Sequence, residues 1–228
     1  MTTDDTGPRW SADDHTALLA TERARAILGE ITRGIAHAMS NRVATISAGL
    51  FVLGEGDSIS ARKIQPLHAE VDLLEQLLVQ LRQLPGEAGD LEPLLAGDIA
   101  ASAIALHEHH GDLRSVRCEI DDTGSVPPAR AVPQALLHAL LIAITTAKVA
   151  AGAGRHAVLR LRSEEHMVRF VATVAGIHEN IAHDDTRFLL EAAAANRLLG
   201  TSAGRAFAIA SGCVVDVPTL ASTRKQRS

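Results

Sequence analysis

Aromatic side chains are almost missing. Phe, Trp and Tyr make up 2% of the 228 residues, with no tyrosine and one tryptophan, so the platforms on which single-stranded nucleic acid stacks are not there. Basic charge is not in excess either: 22 Lys and Arg stand against 27 Asp and Glu, for a net charge of −5, which argues against a broad phosphate-backbone footprint. No nucleic-acid partner is expected. Cysteine is scarce. Cys118 and Cys213 lie far apart, each in an apolar run, and read as small buried hydrophobes rather than a disulfide or a metal pair, which suits a reducing compartment. No apolar run approaches the roughly 20 residues of a membrane-spanning helix. The opening MTTDDTGPRW is acidic and polar, where a secretory signal is basic and then apolar. The expectation is a cytoplasmic protein that does not enter a membrane.

What is present is the material of a globular core, 46% hydrophobic and 21% charged, enough for one large domain or two small ones. From about Thr16 to Leu84 glycine is scarce outside one break, Gly54-Glu55-Gly56-Asp57-Ser58, and the apolar residues on both sides follow helical spacing. The first arm carries a stripe at Leu28, Ile31, Ile35, Met39, Val43, Ile46, Leu50 and Leu53. The second carries a heptad seam at Ile64, Leu67, Val71, Leu74, Leu78 and Leu81, widened by Leu73, Leu77 and Leu84. Pro66 either starts that second helix or kinks it. Two helices alone leave so broad a stripe wet, so residues 16–84 are expected to pair with a second copy as a four-helix bundle, in a homodimer.

Residues 85–90 read as a linker and residues 91–220 as a second domain in which helices and strands alternate. Its expected pieces are a helix from Glu92 to His110, a strand Val116 to Ile120, a Pro-bounded loop Gly124 to Pro128 and a helix Pro133 to Ala150 closed by Gly152 and Gly154. Strands Ala157 to Arg162 and Met167 to Val174 follow, then a helix from about Asp185 to Leu199, a shorter helix before Gly212 and a strand Cys213 to Val217. The fold class is thus α plus α/β: an antiparallel helical hairpin followed by a two-layer α/β sandwich. Residues 1–15 and the tail 221–228 are expected to fray.

One residue does not fit the hairpin's apolar logic. His37 lies two positions from both Ile35 and Met39, about 200° around a helix from each, so it projects to solvent. Its neighbours one turn away are Arg33, Gly34, Ser40 and Asn41. They leave room for a second molecule and set a guanidinium and an amide beside the ring. On spacing alone, an idle surface histidine fits equally well.

The letters around it narrow the choice. GEITRGIAHAMSN resembles the phospho-accepting box of sensor histidine kinases, a Gly-Ile-Ala-His-acid-x-x-Asn run on the first helix of a dimerising hairpin. QALLHALLIAITTA, Gln134 to Ala147, resembles the helix carrying the Asn box of that family's GHKL-type ATP-binding domain. VRFVATVAGIHEN stands where the family has the strand leading to its Asp-x-Gly-x-Gly loop, and GTSAGRAFAI resembles a degraded glycine-rich lid. The resemblance covers the hairpin in its motif and the second domain in its framework.

What the resemblance implies turns on the departures. The Asn that would hold Mg²⁺ falls at Ile142, the Asp that would bind adenine falls at about Ala175, and the lid retains only Gly200 and Gly204. Positioning and electrostatics supply nearly all of phosphoryl-transfer catalysis, so ATP-dependent autophosphorylation is not expected. A dimeric hairpin with an accepting histidine and a degenerate ATP domain is similar to the histidine phosphotransferases of phosphorelays. The implied site is His37 as nucleophile, Arg33 screening phosphate charge and Asn41 bonding the phosphoryl group or a water. The implied partners are response-regulator receiver domains, or a histidine kinase. No cofactor of the chain's own is expected, because the receiver brings Mg²⁺ with its aspartate. The family's acid after the histidine is Ala38 here, so Glu30 or a partner residue would have to orient the ring. The alternative is a non-catalytic adaptor that binds receivers or a kinase.

Other patterns carry less. His107-Glu108-His109-His110 occupies adjacent positions that point apart on a helix, and reads as a solvated helix end rather than a metal site. GAGRHAV and GTSAGR lack the lysine of a phosphate-binding P-loop. Asp4-Asp5, Asp13-Asp14, Asp121-Asp122 and Asp184-Asp185 read as caps and turns.

Overall fold

The structure is a computed structural model and describes residues 12–53, 61–84, 89–121, 125–177 and 188–220. The glycine break at 54–58, most of the linker, residues 1–11, Asp122, Asp184-Asp185 and the tail 221–228 lie outside the described residues.

Helix α1 runs Ala12–Leu53 and α2 runs Ala61–Gln83. Pro66 neither starts nor ends α2; it sits inside it, where it deprives one carbonyl of its helical partner. Arg42 Nη1 bonds Glu70 Oε2 at 3.0 Å and ties the two arms. The buried stripe of α1 is Ala20, Ala24, Ile27, Ile31 and Ile35. It is rotated by one residue from the expected line at its start, and it is covered from within the chain. These residues share one hydrophobic core with the second domain, alongside Leu77 and Leu84 of α2. The alanines let α1 lie close to its neighbours, and Arg23 Nε reaches Glu191 Oε1 at 2.9 Å. Other apolar residues of the hairpin are exposed: Leu18 and Leu19 near its start, and Val43, Leu50, Phe51, Val52, Val71, Leu73, Leu78 and Val79 farther along.

The second domain begins with a strand, not a helix. β1, Glu92–Leu94, pairs antiparallel with β3, Ala129–Ala131, because Pro93 holds the preceding residue extended. α3 then covers only Ala96–His107. β2 (Cys118–Asp121), α4 (Pro133–Ala151), β4 (Ala157–Glu164), β5 (Met167–Val174) and α5 (Leu189–Leu199) follow. The segment expected as a short helix before Gly212 is β6, Arg205–Ile209, paired antiparallel with β7, Gly212–Pro218. Its alternation explains the difference: Ala206 and Ala208 enter the main core while Phe207 packs on the opposite sheet face. Strand order is β2-β4-β5-β7-β6, antiparallel except for the parallel pair β2–β4.

α4 is the centre of the helical layer. Fourteen of its nineteen residues are buried, with Pro133 at its first turn and Gly152, at φ 61°, ending it. By length and mean hydropathy, 1.5, this helix could cross a bilayer, contrary to the expectation that no run came close. Here the sheet and the flanking helices cover it. Cys213 is buried and Cys118 half-buried, both are free, and burial pushes the thiols up to about 12 and about 11.

Candidate functional site

His37 is exposed on α1, as its spacing requires. Its Nε2 lies 3.3 Å from Asn41 Nδ2. An amide N–H donates, so Nε2 presents its lone pair and the ring proton sits on Nδ1. Arg33, one turn earlier, is bonded through Nη1 to Glu30 Oε1 at 2.7 Å. Glu30 is thus occupied by Arg33, and among the described residues the hydrogen bond to His37 comes from Asn41, not from an acid.

The histidine does not stand on an open helix face. It lines a cleft of about 320 Å³ between α1 and the turn after α3. Arg33, Ala38 and Asn41 form one wall; Glu108, His109 and Arg114 form the other. Two contacts hold the turn there. A Cβ on Gly34 would fall 1.7 Å from the His109 carbonyl oxygen, so the turn touches α1 at a place that only glycine leaves open. The His109 ring, through Nε2, lies 2.9 Å from Gln80 Oε1 on α2 and donates to it. One residue of the second domain therefore grips both arms of the hairpin. The sequence hid this: residues 109 and 114 are remote from 37, and the available signal was an unexplained glycine one turn from an exposed histidine.

The histidine cluster is not a solvated helix end. His107 is buried and its Nε2 lies 2.9 Å from Thr145 Oγ1. That hydroxyl donates to the Leu141 carbonyl at 2.8 Å, so His107 donates to it. The His107 ring stacks on His110 with centroids 5.1 Å apart and 12° between planes. α3 ends at His107, so the following turn tucks both rings between α1 and α4 instead of fanning them into water. The Nδ1 atoms of His107 and His110 have no partner among the described residues. Burial, then the neighbouring Lys148 ammonium, holds His107 well below its ordinary range; burial also lowers His109, His110 and Lys148. Among the described residues no set of His, Cys, Asp and Glu could hold a metal ion.

The positions where the resemblance would place a nucleotide differ in their exposure. Ile142 is fully buried in α4. Ala175 is half-buried beyond the end of β5, and Gly200 follows α5 at the surface. Gly204 is pressed against the Asp216 carbonyl, where a Cβ would come within 2.9 Å. The clefts along α1 are lined by none of these four residues. The side chain in the metal-ligand position is a hydrocarbon sealed in the core, which offers Mg²⁺ no lone pair.

No family model matches the chain, and no curated protein does. Among solved structures it is similar to the Acinetobacter baumannii histidine kinase AdeS, at 15% identity over 81% of this chain and 98% of that one, TM-score 0.45. It is similar also to histidine kinase ThkA in complex with response regulator protein TrrA, at 13% identity over 90% of this chain and 65% of that one, TM-score 0.45. A bacterial phosphotransferase is a third, at 18% identity over 91% and 97%, TM-score 0.42. The chain is similar to histidine kinase cores. What its cleft can do follows from the cleft's own residues.

Proposed function

We propose that the chain is a histidine phosphotransferase of a two-component phosphorelay, passing phosphoryl groups between Nε2 of His37 and receiver-domain aspartates without ATP. The observation that carries this reading is the pairing of an exposed His37, its Nε2 bonded by Asn41, with arginines on both walls of its cleft. In the forward step the Asn41 N–H swings off Nε2, and the freed Nε2 lone pair attacks phosphorus of an aspartyl phosphate. The P–N bond forms as the P–O bond to the aspartate breaks, the carboxylate leaves, and Nδ1 gives its proton to water. Mg²⁺ bound by the receiver neutralises charge on the transferring group. Arg33 and Asn41 stand one turn to either side of the ring, where phosphoryl oxygens would fall.

The partners in this reading are a second copy of the chain and receiver domains. The exposed apolar half of the hairpin, Val43, Leu50 and Phe51 with Val71 and Leu78, is the surface a second copy would cover. ThkA, in its own complex, has a response regulator for its partner, and a receiver or a histidine kinase is the partner class proposed here. A cytoplasmic location accords with the free cysteines. One observation favours an adaptor that binds receivers without chemistry: Ala38 follows the histidine, and among the described residues no carboxylate is bonded to the ring.

Phosphoramidate, a phosphodonor that needs no partner, separates the two. Intact mass should show one acid-labile phosphoryl group on the wild type and none on His37→Ala. If neither protein takes up phosphate while both bind the same receiver, the adaptor reading replaces this one.

A further inference from the structure

The turn after α3 brings a second cation to His37 from the other domain. Arg33 is paired with Glu30 at 2.7 Å. Arg114 is exposed on the opposite wall. Only its backbone is engaged, its N–H donating to the His110 carbonyl at 3.0 Å, and it has no ion pair among the described residues. Glu30 and Glu108 also line the cleft, but a guanidinium with no ion pair beside a nucleophile is suited to a dianionic guest, because it matches phosphoryl oxygens in planar, two-bond geometry. The backbone that carries it is fixed: the His109 carbonyl rests on Gly34, and the His109 ring holds Gln80. Arg114 therefore lines the same cleft as His37 on a wall that is in place before any ligand arrives.

We infer that the cleft between α1 and the turn after α3 is a phosphoryl-binding site built from both domains, in which Arg114 clamps the group carried by His37. The second domain would thus serve the histidine through this arginine, and not through a nucleotide. The inference rests on the phosphotransferase reading and adds to it a residue from outside the hairpin. The charge it answers is that of the phosphoryl oxygens, which spreads over three atoms in the transition state and remains as a dianion on the product.

The test uses the full chain and phosphoramidate. Nε2 attacks phosphorus, the P–N bond of the donor breaks with its protonated nitrogen leaving as ammonia, and Nδ1 releases its proton to water. Wild type, Arg114→Ala, Arg114→Lys and Arg117→Ala are compared for rate of loading at His37, for phosphohistidine half-life, and for the dependence of both on NaCl. Arg117 is an exposed arginine paired with Glu119 at 3.2 Å and outside the cleft, so it controls for loss of one surface charge. Arg114→Ala should load about tenfold more slowly, as loss of one charge-assisted bond to the transferring group implies, with a flatter salt dependence. Arg114→Lys should recover part of the rate, and Arg117→Ala should match wild type. Thermal unfolding should be the same in all four, since the Arg114 side chain holds nothing in the fold. Loading of Arg114→Ala at the wild-type rate overturns this inference and leaves phosphotransfer standing. No loading of His37 in the wild type overturns both.

Discussion

The His37 cleft and the region around Ile142 belong to the same chain and were shaped in opposite ways. At His37 the helix keeps a glycine, two polar neighbours and an arginine on its surface, and a second wall closes over them without covering the ring. At Ile142 an apolar side chain is sealed at 0% exposure among leucines and alanines of α4. One region holds its polar atoms ready for a guest; the other uses its volume to hold the domain together. The same chain thus keeps open polar volume at one helix and fills it with hydrocarbon at another.

The comparison breaks most visibly if Ile142 can be turned back. Ile142→Asn should cost about 3–5 kcal/mol in urea unfolding, the sum of a lost core side chain and a buried unpaired amide. Its melting temperature should not respond to Mg²⁺ and ATP; a nucleotide-dependent rise would mean that a usable pocket lies behind the packing.

A second effect comes from the buried imidazoles of the second domain. His107, His110 and His138 are each lowered by burial from the ordinary 6.5, His138 despite its 2.7 Å bond to the Leu84 carbonyl. Below about pH 6.5 the unfolded chain binds protons that the folded chain refuses, so stability should fall as pH falls through that value and level off only below the folded values. The slope is at most about 1.4 kcal/mol per pH unit for each histidine. Unfolding followed by denaturant between pH 7.5 and 5 checks it. A flat profile would mean that the rings are hydrated in solution.

Gly34→Ala tests the wall itself. The new methyl group collides with the His109 carbonyl, so α1 and the turn must separate, at about 1–3 kcal/mol, partly offset by up to about 1 kcal/mol of helix propensity. Faster amide exchange at residues 108–114 would mark the opening, and unchanged exchange would count against the contact. The smallest effects concern Gly204 and Gly200. Gly204→Ala presses on backbone and should cost about 1–2 kcal/mol. Gly200 has open space around it and helical φ and ψ, so Gly200→Ala should stay within about 0.5 kcal/mol. Equal losses at both would suggest a shared role that packing does not describe.

The hairpin, α4, the β4–β5 pair and the exposure of His37 were legible because each depends on periodicity within one element. β1 and β3 are three residues each, too short to show a period, and the five residues of β6 ended at a glycine as a helix would. The partner of a stripe was not legible at all. Ile27, Ile31 and Ile35 announce a covered face, but spacing is silent on whether a second copy or the chain's own α4 and α5 covers it. Likewise Asp216, at 0% exposure, is held by Arg169 at 2.8 Å and Arg205 at 3.1 Å across three strands, and no local pattern gathers them. Arg114 escaped for the same reason: its role is a matter of which wall it stands on.

The core shared by α1 and the sheet domain has a consequence for how the molecule comes apart. Because Ile31 and Ile35 are packed into the same cluster as Leu140 and Phe170, the segment bearing His37 cannot melt alone without exposing the sheet domain's interior. Its amides should therefore exchange with solvent by the same rare, whole-molecule opening as those of α4. The exposed far half of the hairpin, beyond Val43, should exchange by separate, more frequent openings until a second copy is bound.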